Sequence, residues 1–73
     1  MAFSGKVKWF NPNKGYGFIT PENGSKDIFL HISSLEKAGI TFLEDGQRLE
    51  YEVSTNKGKD AAVNIKLLSS DKQ

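Results

Sequence analysis

"YGFITPENGSKDIFLHI", residues 16 to 32, holds two strand-like runs on either side of a turn-rich segment. Tyr16 to Thr20 and Asp27 to Ile32 are rich in aromatic and β-branched residues, and Asn23-Gly24 between them is a hairpin signal. Side chains of a strand alternate between faces. Tyr16, Phe18 and Thr20 therefore share one face, and Gly15, Gly17 and Ile19 the other. Across the turn, Asp27, Phe29 and His31 oppose Ile28, Leu30 and Ile32. Only one choice of faces is physically acceptable. Ile19, Ile28 and Leu30 are purely apolar and belong inside, whereas the reverse choice buries Asp27 and His31 and exposes three aliphatic side chains. The hairpin thus predicts an outward surface with Tyr16, Phe18, Phe29 and His31 side by side.

The segment upstream extends the same theme. "GKVKWF", residues 5 to 10, alternates charged and apolar side chains as a strand does, and "NPNKG", 11 to 15, is dense in turn formers. Strict alternation sets Val7 and Trp9 on one face and Lys6, Lys8 and Phe10 on the other. A bulge or strong twist is expected here, so that Val7 points inward while Trp9 still reaches the ring surface. Lys6, Lys8 and Lys14 surround the rings, and no acidic residue precedes Glu22.

Downstream, "SSLEKAG" offers Ser33 and Glu36 at capping-box spacing with Gly39 as a stop, enough for a short helical turn. "ITFLEDG" reads as a loop. "QRLEYEV" places Leu49, Tyr51 and Val53 on one face, and "AAVNIKLL" places Ala61, Val63, Ile65 and Leu67 on another after the "TNKGKD" turn. The tail at 69–73 is expected to fray. The whole chain, 1–73, reads as one domain with its core at 3–68. Five short strands in so short a chain predict an all-β fold, a closed five-stranded antiparallel β-barrel, since closure removes the exposed edges of an open sheet. Its inward set is Val7, Ile19, Ile28, Leu30, Leu43, Leu49, Val53, Val63 and Ile65, with Tyr51 covering an end.

Composition narrows the function. The 73 residues include no cysteine, which excludes disulfides and thiolate metal sites and fits a reducing cytoplasm. His31 is the only histidine, and no carboxylates cluster at metal spacing, so neither a metal nor a catalytic centre is expected. No phosphate-binding GxxxxGK[ST] loop is present, and neither ATP nor any other cofactor is called for. No apolar run is long enough to cross a bilayer. Asn23-Gly-Ser25 matches a glycosylation sequon but reads as a turn. Net charge is only +1, yet it is unevenly spread. Residues 1 to 20 carry three lysines without an acid, whereas Glu44, Asp45, Glu50 and Glu52 face Arg48 alone in 44 to 52. A basic face and an acidic face follow.

Rings beside lysines on an outer surface have a direct use. An unpaired base has a π-face, and stacking on an aromatic ring is worth about 1–3 kcal/mol per base. Lysines follow the phosphates and release counterions, and about three such contacts give a log–log salt slope near −2 for single strands. The alternative is a protein-binding patch, which aromatics also suit. Phe42 adds a lone ring in a polar loop between Thr41 and Leu43, either a further contact or a plug for a barrel end.

"KGYGFIT", 14 to 20, matches the opening of a ribonucleoprotein motif, a basic residue followed by Gly-aromatic-Gly-Phe. An RNA recognition motif domain is opposed by the absence of two helices and by the order of the motifs, since "DIFLHIS" follows the first instead of preceding it. Together "GKVKWFNPNKGYGFIT" and "DIFLHIS" closely resemble the bacterial cold-shock proteins, from about residue 3 to residue 68. The resemblance implies an OB-type barrel that binds single-stranded RNA and DNA with low sequence selectivity; a closed barrel needs no partner, so a monomer is expected. It further implies an ATP-independent RNA chaperone with effects on transcription and translation. By the same resemblance, Trp9, Tyr16, Phe18, Phe29, His31 and Phe42 would stack on bases, and Lys8, Asn11 and Lys14 would contact the strand, with Lys6, Asp27 and Lys57 nearby. Two departures stand out. Ile32 follows the histidine where many relatives carry phenylalanine, and Asp60 stands where they often have an uncharged polar residue. Asp60 would either repel a phosphate or pair with Lys59.

Overall fold

Five strands and one short helix follow in the order β1 (Phe3–Asn11), β2 (Tyr16–Pro21), β3 (Ile28–His31), α1 (Ile32–Ala38), β4 (Arg48–Asn56) and β5 (Lys59–Leu67). They come from a computed structural model that describes residues 2–68; the tail expected to fray, 69–73, lies outside the described residues. The strands close into a barrel in the order β1-β2-β3-β5-β4. Four of the five junctions are antiparallel, but β3 and β5 run parallel, meeting at Phe29↔Ala61. The expected all-antiparallel barrel is corrected on this point, and the reason is parity. Strand direction must reverse at every antiparallel junction, so a closed ring with an odd number of strands needs at least one parallel pair.

Val7, Ile19, Leu30, Leu43, Leu49 and Ile65 fill the core as expected, and Tyr51 joins them with its ring centroid 6.0 Å from that of Phe3. Ile28 and Val63 are half-buried and Val53 is exposed. Leu35 and Ala62 take interior places that the sequence did not assign. Leu35 comes from α1, which is held against β5 by a hydrogen bond from the buried Ser34 hydroxyl to the Ala62 carbonyl (3.0 Å). Ala62 is inward because β5 changes phase. The register with β4 shifts between Glu50↔Lys66 and Glu52↔Val63, leaving an extra residue on β5. Asn64, with φ 52°, occupies the left-handed region there, a conformation that Asn tolerates better than most residues. Ala62 and Ile65 therefore both point inward although three positions separate them; Leu67, at the end of β5, is exposed.

The helix begins one residue earlier than Ser33. His31 is its N-cap, with its ring accepting the Ser33 N–H, and Gly39 closes it in the left-handed conformation with its own N–H returned to the Leu35 and Glu36 carbonyls. Ile32 is thus helical, not the last residue of a strand. Seven residues cannot hold a helix in isolation; the two caps, Leu35 and Ser34 hold this one.

Candidate nucleic-acid interface

The β1 irregularity decides where Trp9 goes. Val7 pairs with Ile19 and Trp9 with Phe18, so Lys8 is the additional residue of a bulge. Val7 stays inside while Trp9 swings onto the outer face, 37% exposed. Its ring centroid lies 5.4 Å from Phe18 and 5.8 Å from Tyr16, both edge-on. Phe10 turns the other way and packs partly buried against the core.

Gly17 makes this crossing possible. A Cβ there would strike the Trp9 carbonyl oxygen and come within 2.7 Å of Phe10 Cα. The glycine permits the two backbones to approach where β1 kinks.

Across β2 and β3 the register Tyr16↔His31 and Phe18↔Phe29 sets the remaining rings side by side. Phe29 lies 5.9 Å from Tyr16 and nearly parallel to it, 5.9 Å from Phe18 edge-on, and 6.2 Å from His31. Trp9, Tyr16, Phe18, Phe29 and His31 therefore form one continuous surface across three strands. Edge-on neighbours hold one another's orientation and leave faces free for a ligand.

The polar candidates divide. Lys6 pairs with Thr20 at the end of the same outward face. Lys8 binds Asp27 at 2.8 Å, so its charge is already partly compensated. The side-chain oxygen of Asn11 accepts the backbone N–H groups of Asn13 (2.9 Å) and Lys14 (3.1 Å), which fixes the turn beneath Lys14. Its amide NH2 has no such duty. Phe42 is 67% exposed and touches none of the platform rings. It is no plug; Leu43 beside it enters the core instead. Lys57 stands at the tip of the β4–β5 hairpin with φ 55°. Asp60 does not pair with Lys59: its carboxylate accepts the Thr55 hydroxyl at 2.6 Å.

His31 is the most constrained member. A backbone N–H can only donate, and that of Ser33 is directed at Nδ1 (3.1 Å), so Nδ1 is an acceptor and the neutral ring carries its proton on Nε2. The Ser33 hydroxyl also lies 2.9 Å from Nδ1. The Nε2–H, on the opposite side of the ring from α1, is left for a ligand. Among the described residues no group of three or more His, Cys, Asp or Glu could hold a metal ion, and no helix is long and apolar enough to cross a membrane.

A family model described as the 'Cold-shock' DNA-binding domain matches residues 3–68. The chain belongs to the cold-shock domain family. Members of this family are nucleic-acid-binding proteins. Probable cold shock protein y4cH of Sinorhizobium fredii is 49% identical over 67 residues, covering 89% of this chain and 97% of that protein. Cold shock-like protein CspE of Escherichia coli is 49% identical over 61 residues, covering 84% of this chain and 88% of its own. CspC of Buchnera aphidicola is 51% identical over 61 residues, with the same coverage. The solved structure of drosophila Unr CSD456 superposes with a TM-score of 0.78 at 18% identity, over 97% of this chain and 28% of that one. This last likeness is one of fold.

The sequence did not point to Lys26, Lys37 and Lys59, which line a groove beside the platform together with Phe18, Phe29 and His31. They are far apart in the chain and carry no motif. Only the closed topology brings them to one place.

Proposed function

We propose that this cold-shock domain binds single-stranded RNA and DNA with low sequence selectivity and acts as an ATP-independent RNA chaperone in the cytoplasm. One observation carries the reading: five outward rings in one continuous row of ring contacts across β1, β2 and β3, with lysines at their margins. Such a surface accepts any base with a free face and ignores a stacked duplex. The domain therefore captures strands as they open, and mass action draws hairpins toward the open form without any fuel. Its effects on transcription and translation follow from which strands are held open.

Within this reading, Trp9, Tyr16, Phe18 and Phe29 are stacking surfaces. His31 both stacks and donates from Nε2, while Lys6, Lys8 and Lys14 follow the backbone on the β1 side. Asp27 positions Lys8, Asn11 shapes the turn that carries Lys14, and Phe42 and Lys57 extend contact from their loops.

The test is a titration read by Trp9, the only tryptophan. A pyrimidine-rich single strand is expected to quench its fluorescence, and the matching duplex to do so far more weakly. Equal response to both, or none to either, overturns the reading and leaves the ring surface as a protein-binding patch.

A further inference from the structure

Beside the platform, on its β3 side, runs an open groove of about 1020 Å³. It is continuous with the rings, because Phe18, Phe29 and His31 form part of its wall. Three cations reach it from three separate elements: Lys26 from the turn before β3, Lys37 from the last turn of α1, and Lys59 from the start of β5. All three are exposed.

The groove also holds two carboxylates, and both are engaged elsewhere. Asp27 is bound to Lys8 at 2.8 Å, and Asp60 accepts the Thr55 hydroxyl at 2.6 Å. Among the described residues the ion pairs are Lys8–Asp27 and Arg48–Glu22. Lys26, Lys37 and Lys59 thus face the groove without a carboxylate partner. The situation on the β1 side is different, since Lys8 there is already paired.

A strand whose bases lie on rings that span β1, β2 and β3 crosses the platform and leaves it over the β3 margin. The β3 margin supplies what a sugar–phosphate chain needs, an apolar floor for the sugars and ammonium groups along the rim for the phosphates. We propose that this groove carries the part of the bound strand's backbone that runs past β3, with Lys26, Lys37 and Lys59 as its phosphate contacts, while Lys6, Lys8 and Lys14 hold the part over β1. The inference rests on the single-strand reading above and names a part of that site which no motif marks.

Each phosphate neutralised contributes about 0.7 to the log–log salt slope for single strands. Lys6, Lys8 and Lys14 alone give a slope near −2, and the three groove lysines bring it to about −4. The experiment measures affinity for an oligothymidine against salt concentration for the wild type, the triple variant Lys26→Gln/Lys37→Gln/Lys59→Gln, and Lys66→Gln. Lys66 is an exposed lysine outside the groove. The triple variant is expected to lose about 2 from the slope, while K66Q keeps that of the wild type. Bound wild-type protein is also expected to shield Lys26, Lys37 and Lys59 from an amine-reactive reagent and to leave Lys66 open to it.

Coincident slopes for wild type and triple variant, with Trp9 still quenched, overturn the groove and leave the ring platform standing. A loss per charge in K66Q equal to that of the groove lysines overturns it as well, because net charge alone then explains the slope. A wild type that does not bind the single strand overturns both readings.

Discussion

The Ser33 backbone N–H donates to His31 Nδ1 at 3.1 Å, so the residue that ends the ring platform is also the residue that starts α1. One imidazole serves two purposes, and they belong to different atoms. Nδ1 caps the helix, while the ring faces and Nε2–H are left to the ligand.

Two substitutions at His31 should separate these roles. Asparagine is a strong N-cap but has no ring, so His31→Asn is expected to hold stability within about 0.5 kcal/mol and weaken single-strand binding by about 1–3 kcal/mol. His31→Phe keeps the ring and loses the cap, which lowers stability by about 1 kcal/mol and Tm by about 4–8 °C. Nitrogen NMR of the free protein should find the neutral ring protonated at Nε2. A dominant Nδ1–H form would contradict the cap geometry.

At Gly17 the reason for glycine is contact, not dihedral angle. Gly17→Ala would drive a methyl group into the Trp9 carbonyl and Phe10 Cα. It should cost about 3 kcal/mol, the upper range for overpacking a rigid site. Gly24 has φ +82°, but a methyl group there would meet only open space, so Gly24→Ala should cost only about 1–2 kcal/mol. Urea denaturation of both variants checks the order; a milder effect at Gly17 would mean that the β1 bulge yields easily.

That glycine marks how far the sequence could be read. The hairpin from Tyr16 to His31 was legible because alternation in two facing strands admits one choice of faces. The β1 bulge was legible as a conflict, since Val7 and Trp9 could not both satisfy a regular strand. The β5 bulge was not. Asn64 sits among apolar residues with nothing to signal a left-handed backbone, so simple alternation turns Ala62 outward and Val63 inward. The parallel β3–β5 junction follows from counting strands in a closed ring, a property of no single segment. The platform rings were legible because neighbours in two adjoining motifs carry them. Lys26, Lys37 and Lys59 were not, because their proximity exists only in the closed barrel.

Tyr51 gives the fold an alkaline limit. Burial raises its phenol above the ordinary value of 10.0. Above that pH the unfolded chain releases the proton and the folded one retains it, so the native state binds more protons and stability falls as pH rises. The contribution is fully present below about pH 10 and is lost as pH climbs through the folded value. Tyr51→Phe, which cannot ionise, should unfold less steeply with pH in this range. Parallel curves for the two proteins, followed by urea midpoint, would remove Tyr51 as the cause.

Rings and lysines should also leave different signatures on binding. Phe29 touches Tyr16, Phe18 and His31, and so lies at the centre of the platform. Phe29→Leu keeps an apolar side chain over the barrel and removes the π-face, which should weaken binding by about 1–3 kcal/mol. Phe42, 67% exposed, contributes little packing; Phe42→Ala should leave stability within about 0.5 kcal/mol. Since its loop extends the contact, affinity is expected to fall by about 1–3 kcal/mol, the value of one stacked base. Neither change removes a charge, so both should displace the salt-dependence line downward without altering its slope. A changed slope in F29L would mean that the ring also positions a cation, and an unchanged affinity in F42A would confine the interface to the sheet.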